Sequence, residues 1–267
     1  MNFDLHSVRS ALFLPASNPR AIARARSAGA DLVILDLEDA VKPEDKDVAR
    51  LSAVAAVAEP WPCPVAIRIN GTLSEWHAAD LAAVSGSSAN LIVVPRVTHA
   101  NSIESVATVV ARPVAAMIET AAGVLAAPAI ARVSAALIAG TNDLSADLRI
   151  SAGVGRAPLQ TALQWVLIAA RAAGVPAFDG VFNRLDDDAG LAAECAESRA
   201  LGFDGKSLIH PDQIAPCHVV FAPTADEIAR AERLVGAASG GAERFEGAMI
   251  ERMHVESAKR LLDRAQS

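Results

Sequence analysis

Three carboxylates fall within four residues of an apolar run: Asp36, Glu38 and Asp39 in DLVILDLEDAV. Five of the six residues from Leu32 to Leu37 are aliphatic, the pattern of a strand buried on both faces. A carboxylate there is costly unless it is paired, hydrogen-bonded or near a metal. The cluster therefore marks the mouth of a polar site, or else a strand end emerging into solvent. Other apolar runs also end in groups with chemistry: Arg68 and Asn70 in VAIRIN, Arg96 after Pro95, Glu119 in AAMIET, Asp143 and Asp147 in TNDLSADL, Asp179-Gly180, and Lys206 before His210.

Several carboxylates beside an arginine suit a hard divalent cation, which takes oxygen ligands and keeps waters. Glu119 and Asp143 are the favoured metal ligands, because each ends an apolar run and the two runs are successive. The alternative for each is an acid at a helix start, stabilised by the helix dipole. Arg68 lies in an apolar alternation, where an unpaired cation would be expensive. It either makes a structural salt bridge to Asp36 or Glu38, or holds a substrate carboxylate or developing enolate oxygen in its fork. Lys206 could form a Schiff base with a carbonyl substrate, although Asp204 nearby favours a paired structural lysine. The six histidines form no metal-ligand spacing.

Positioning such groups requires a scaffold of strands with a common polar end. The candidate strands are 10–14, 32–37, 65–70, 91–95, 114–118, 135–139, 175–178 and 205–209, and amphipathic Ala-rich stretches alternate with them. Eight strand–helix units predict an α/β fold of the (β/α)8 barrel type, whose active site lies at the C-terminal strand ends. A doubly wound sheet is the runner-up, but the Gly-rich first turn is absent. In PASNPR, Ser17 or Asn18 can cap a helix with Pro19 at its first position. Residues 1–222 form the expected catalytic barrel. Residues 223–267, with no ninth strand, form a C-terminal helical extension serving as a lid or oligomer arm.

The 267 residues are 52% hydrophobic, ample for one large core, and carry a net charge of −7. The acidic balance argues against broad nucleic-acid binding, which wants a basic face. The N-terminus lacks a secretory pattern and no apolar run is long enough for a membrane span. Cys63, Cys195 and Cys217 are odd in number and unpaired in spacing, as expected of reduced thiols in a soluble cytoplasmic protein.

The segments RSALFLPASNPRAI, GADLVILDLEDAVKPEDK, VAIRIN, VVPRV, MIETAAGVL, TNDLSADL, GVPAFDGV and LGFDGKSLIHPDQI occur in an order that resembles the citrate lyase beta-subunit-like family. That family also includes malyl-CoA and citramalyl-CoA lyases. The similarity runs over residues 9–222, and GAMIERMHVESAKRLL resembles the lid segment of the CoA-ester lyases. The resemblance implies a Mg2+-dependent carbon–carbon lyase on a TIM barrel, forming a homo-oligomer, trimeric or hexameric. It would cleave a 3-hydroxyacyl-CoA thioester to acetyl-CoA and a 2-oxo acid. Glu119 and Asp143 would be the metal ligands. Arg68 would bind substrate and steady the enolate, with Glu119 and Gly180 also at the substrate. Asp36, Glu38 and Asp39 would order metal-bound water, with Lys46 as their partner, and Asp39 would take part in catalysis. The LPASN loop would lie near the CoA moiety.

Two positions depart from the family pattern. The lid motif of the CoA lyases carries an aspartate that acts as acid/base across a subunit boundary, whereas this chain has Glu251. Ala122 stands where many relatives have arginine after IETA. Beside the lyase stand three alternatives: a malyl-CoA-type thioesterase, a Schiff-base aldolase using Lys206, and a non-catalytic CoA-ester-binding subunit.

Overall fold

The computed structural model describes residues 3–266. Its first compact unit, Met1–His218, is built on eight parallel strands closed into a barrel. The strands and helices alternate as β1 (Ser10–Pro15), α1 (Pro19–Ala25), β2 (Leu32–Asp36), α2 (Lys46–Ala58), β3 (Val65–Arg68), α3 (His77–Ser85), β4 (Leu91–Val94), α4 (Ala100–Val110), β5 (Val114–Ile118), α5 (Ala121–Ala131), β6 (Ala136–Ala139), α6 (Thr141–Asp147), α7 (Gln160–Ala173), β7 (Ala177–Asp179), α8 (Asp188–Leu201), β8 (Gly205–Leu208) and α9 (Ile214–Phe221). The α/β barrel expected from the sequence is the fold. No described helix is long and apolar enough to cross a membrane.

Period-2 alternation decides what the barrel interior receives. Ile34, Ala66, Val93, Ala115, Met117, Ile138 and Phe178 belong to one buried core cluster, in which small and large side chains interleave. Two residues further along their strands, the same inward face carries Asp36, Arg68 and Glu119. Register brings these groups level: Asp36 pairs with both Pro15 and Arg68, and Ile118 pairs with Ala139 just before Glu119 and Gly140. The barrel closes where β1 pairs with β8, from Ser10 and Lys206 to Leu12 and Leu208.

Asn18 caps α1, accepting from the backbone N–H of Arg20 and Ala21, with Pro19 following. The short helix α6 is additional to the elements read from the sequence.

The second compact unit, Val219–Ser267, holds α10 (Ala225–Ala237), opened by a capping box between Thr224 and Glu227, and α11 (Arg252–Gln266). Between them lies an antiparallel ribbon of β9 (Glu243–Phe245) and β10 (Ala248–Ile250). The expectation of no further strand is corrected here. Glu246 and Gly247 both take positive φ, 47° and 85°, the conformation of a tight hairpin turn. The flanking strands are too short to show alternation. Ala231, Leu234, Ile250 and Ala258 form this unit's own core.

Candidate active site

Arg68 ends β3 and is nearly buried. Its Nε and Nη2 each lie 2.6 Å from an Asp36 carboxylate oxygen, a two-pronged pairing set by the level register of β2 and β3. Burial pulls the guanidinium toward losing its proton, but Asp36 outweighs it and keeps Arg68 charged. Asp36 also accepts the backbone N–H of Glu38 and Ala40, so it shapes the turn that follows β2. The third nitrogen, Nη1, faces Glu38 Oε2 at 3.0 Å, Asp39 Oδ2 at 3.9 Å and Met117 Sδ at 3.7 Å. Arg68 therefore makes the structural salt bridge and still presents one edge to the cavity.

Glu38 is less well served. Its Oε2 is buried without a hydrogen-bond partner, because the Arg68 contact is off hydrogen-bonding geometry. Burial, reinforced by Asp39 and Glu119, overcomes Arg68 and pushes Glu38 up to about 8. Asp39 is mostly exposed. Lys46 does not pair with these carboxylates: its Nζ donates to the carbonyls of Leu37 and Glu38 and to Asn70 Oδ1, at 2.7–2.8 Å. It clamps the backbone of the acidic turn rather than ordering its side chains. Asn70 donates to Leu37 O and to Asp80, whose other oxygen accepts from Arg50 Nε. Asp80 sits in the Ala-rich helix α3, and nothing in HAADLAAVS signals this contact.

Glu119 follows β5 and is 2% exposed. It does not cap α5: Thr120 does, accepting from Gly123 N–H. Glu119 Oε1 instead accepts the backbone N–H of Arg96 at 2.6 Å. Burial is the main cause of its rise to about 7, against Arg96 and Arg68 and with help from Asp143 and Asp39. Gly140 makes room for it, since a Cβ there would run into the Glu119 side chain. Asp143 lies in the first turn of α6 and pairs with Arg96 Nη1 at 2.9 Å. Arg96, which the sequence offered as a strand-end group without a role, has φ +51°; left-handed backbone at an arginine has no sequence signature.

Asp36, Asp39, Arg68, Glu119 and Asp143 line one cavity of about 370 Å³, floored by Phe13 and Met117. Ser207 of β8 joins this wall, with its buried Oγ lacking a hydrogen-bond partner. A larger cavity of about 730 Å³, lined in part by Lys46, Asn70, Trp76, Arg96 and His99, shares Glu38's neighbour Asp39 with the first. Among the described residues there is no group of three or more acidic, histidine or cysteine side chains able to hold a metal. Two hard carboxylates, Glu119 and Asp143, on the wall of one cavity fit a cation that takes its remaining oxygens from water and ligand. That is the donor set of magnesium rather than zinc.

The other candidates are placed differently. Lys206 is fully buried, with its Nζ donating to Asp179, Glu194 and the carbonyl of Gly180 at 2.6–2.7 Å. Burial opposes its charge, yet Asp179 and Glu194 prevail, so it is a fixed ammonium and not a free amine for a Schiff base. Gly180 is backed against Thr141, whose side chain a Cβ would strike, and its neighbour Val181 lines the cavity. Glu251 lies in the second unit, exposed, just before α11, with its N–H donating to His254 Nδ1.

The model of the HpcH/HpaI aldolase/citrate lyase family matches residues 9–211. A (3S)-malyl-CoA thioesterase of Cereibacter sphaeroides is 39% identical, over 100% of this chain and 98% of its own. The citrate lyase subunit beta of Escherichia coli K12 is 32% identical, over 97% and 93%. Among solved structures, CitE from Mycobacterium tuberculosis in complex with magnesium, acetoacetate and coenzyme A superposes with a TM-score of 0.87 at 32% identity, covering 98% of this chain and 100% of that one. A citrate lyase beta subunit from the same organism, complexed with oxaloacetate and magnesium, gives 0.75 at 32% identity, over 83% and 100%. Barrel, rim acids and sequence thus agree that this chain belongs to the HpcH/HpaI aldolase/citrate lyase family.

Proposed function

We propose that the protein is a Mg2+-dependent carbon–carbon lyase that cleaves a 3-hydroxyacyl-CoA of the malyl, citramalyl or citryl type to acetyl-CoA and a 2-oxo acid. The observation that carries this reading is the single cavity that Arg68, Glu119 and Asp143 line together. Glu119 and Asp143 would hold Mg2+, which supplies Lewis-acid polarisation of the hydroxy-acid end and a template for it. Arg68, fixed by Asp36, offers Nη1 to the charge that develops on the thioester oxygen as the carbon–carbon bond breaks. Its positive charge is prepaid by Asp36, so no reorganisation is needed during the reaction. Asp39, at the junction of the two cavities, serves proton transfer at the hydroxyl, and Ser207 Oγ is available to a ligand oxygen.

In this reading the larger cavity receives the CoA portion. Glu251 delivers the proton to the acetyl-CoA enolate from the tail of a neighbouring subunit in a trimer or hexamer. The magnesium, coenzyme A and oxo-acid complexes of the M. tuberculosis relatives support the ligand set.

A second reading is hydrolysis of the same thioester, favoured by the 39% identity to (3S)-malyl-CoA thioesterases over the whole chain. One experiment separates the two. The protein is incubated with malyl-CoA, citramalyl-CoA and citryl-CoA, with and without Mg2+, and products are resolved by chromatography. Metal-dependent release of a 2-oxo acid with acetyl-CoA supports the lyase. Free hydroxy acid with CoA and no oxo acid supports the thioesterase, and binding without turnover a non-catalytic subunit.

A further inference from the structure

Among the described residues, the hydrogen bonds and ion pairs of both Glu119 and Asp143 run to one residue, Arg96. It serves them differently. To Glu119 it gives a backbone N–H, aimed by the left-handed φ of +51° after Pro95. To Asp143 it gives its guanidinium, whose side chain is 55% exposed against 36% for Asp143. Arg68 is the contrast: buried, pinned by two short bonds to Asp36, unable to leave. Arg96 is exposed and also lines the larger cavity, so both solvent and that cavity are open to its guanidinium.

We infer that Arg96 is a placeholder cation that pairs with Asp143 until Mg2+ takes that carboxylate, and so lowers the protein's intrinsic metal affinity. This inference rests on the assignment of Glu119 and Asp143 as metal ligands. A dication shared by those two carboxylates leaves no uncompensated charge for the guanidinium and repels it at close range. The ion pair must therefore break as the metal enters, and its free energy is subtracted from metal binding. Released, the guanidinium stands at the wall of the larger cavity, where an anionic group of a ligand can take Asp143's place. Metal and anion would then reinforce one another through Arg96. The left-handed backbone is retained because it keeps the N–H on Glu119 in both states.

The test is Mg2+ affinity without substrate, measured by displacement of Mn2+ followed through water-proton relaxation. The full chain is compared with Arg96→Gly, Arg96→Gln and Asp143→Asn. Glycine tolerates the positive φ and keeps the backbone donor. Glutamine keeps the length without the charge, and serves if the glycine variant folds poorly. Both Arg96 variants should bind Mg2+ about two- to five-fold more tightly, the range of a half-exposed ion pair. The gain should shrink at high salt. Unchanged or weaker binding in both overturns the placeholder role. Wild-type-like binding in Asp143→Asn overturns instead the metal-site assignment beneath it.

Discussion

Two groups of buried charge sit near the C-terminal strand ends, and their balances are opposite. Around Asp179, Arg156 supplies a two-pronged pair at 2.8 and 2.9 Å, Lys206 a third contact at 2.7 Å, and Ser198 a hydroxyl. Burial pushes Asp179 up, but Lys206 and Arg156 overpower it and bring the acid down to about 2. Around Glu119 and Glu38 the same burial wins, and both acids rise, to about 7 and about 8. One cluster is complete within the chain and holds β7, β8 and α8 together. The other has less positive charge than its burial calls for, as expected of the site proposed above. Compensation, more than burial, separates a structural ionic cluster from a functional one.

Substitutions that remove one member from each cluster sharpen this contrast. Glu119→Gln should reduce turnover about a thousandfold by taking several kcal/mol of metal-derived stabilisation, while leaving the melting temperature within a few degrees. Steady-state kinetics and calorimetry check both halves, and a large fall in melting temperature would erase the distinction. Lys206→Met should do the reverse. It strands Asp179 and costs roughly 3–5 kcal/mol of stability in urea melts, yet wherever the variant stays folded it should bind Mg2+ like the parent.

Gly140→Ala lies next in size. Its new methyl competes with the Glu119 side chain, so Mg2+ affinity should fall roughly 10- to 100-fold, read by the same Mn2+ displacement. The smallest effect is in pH. Glu38 is raised above its ordinary 4.5, so the native state keeps a proton that the unfolded chain releases. Its contribution is favourable at acid pH and is lost as pH rises from about 4.5 to about 8. Asp179 is depressed below its ordinary 3.8, and its contribution is present above about 4 and is lost as pH falls toward 2. Urea melts of wild type and Glu38→Gln should diverge on the alkaline side alone. An identical pH profile for the two would contradict the imbalance assigned to the rim.

Most of the scaffold was legible, because most barrel strands are short, largely aliphatic runs bounded by a polar end. Val114–Ile118 was located to the residue, and the others to within one or two. The strand ends also pointed to Arg68 and Glu119, since an acid or arginine beside an apolar run is costly without a partner, and both line the same cavity as Asp143 of α6. Contacts made by backbone groups or by residues on helices were not legible. Arg96 acts through a positive φ and a main-chain N–H, and Lys46 through carbonyls. Asp80 lies in a helix whose periodicity looks wholly ordinary. The ribbon Glu243–Ile250 escaped for a different reason: three-residue strands carry no measurable alternation.

The seam between β1 and β8 has a temporal meaning. As the chain leaves the ribosome, the acids of β2, β5 and α6 are synthesised well before Lys206 and Ser207 exist. Yet Phe13 and Ser207, which line the same cavity as those acids, lie at the β1–β8 seam, which cannot pair until β8 has been made. The cavity lined by Asp36, Glu119 and Asp143 therefore cannot close until the final stave has been made. Only then can burial act on those acids.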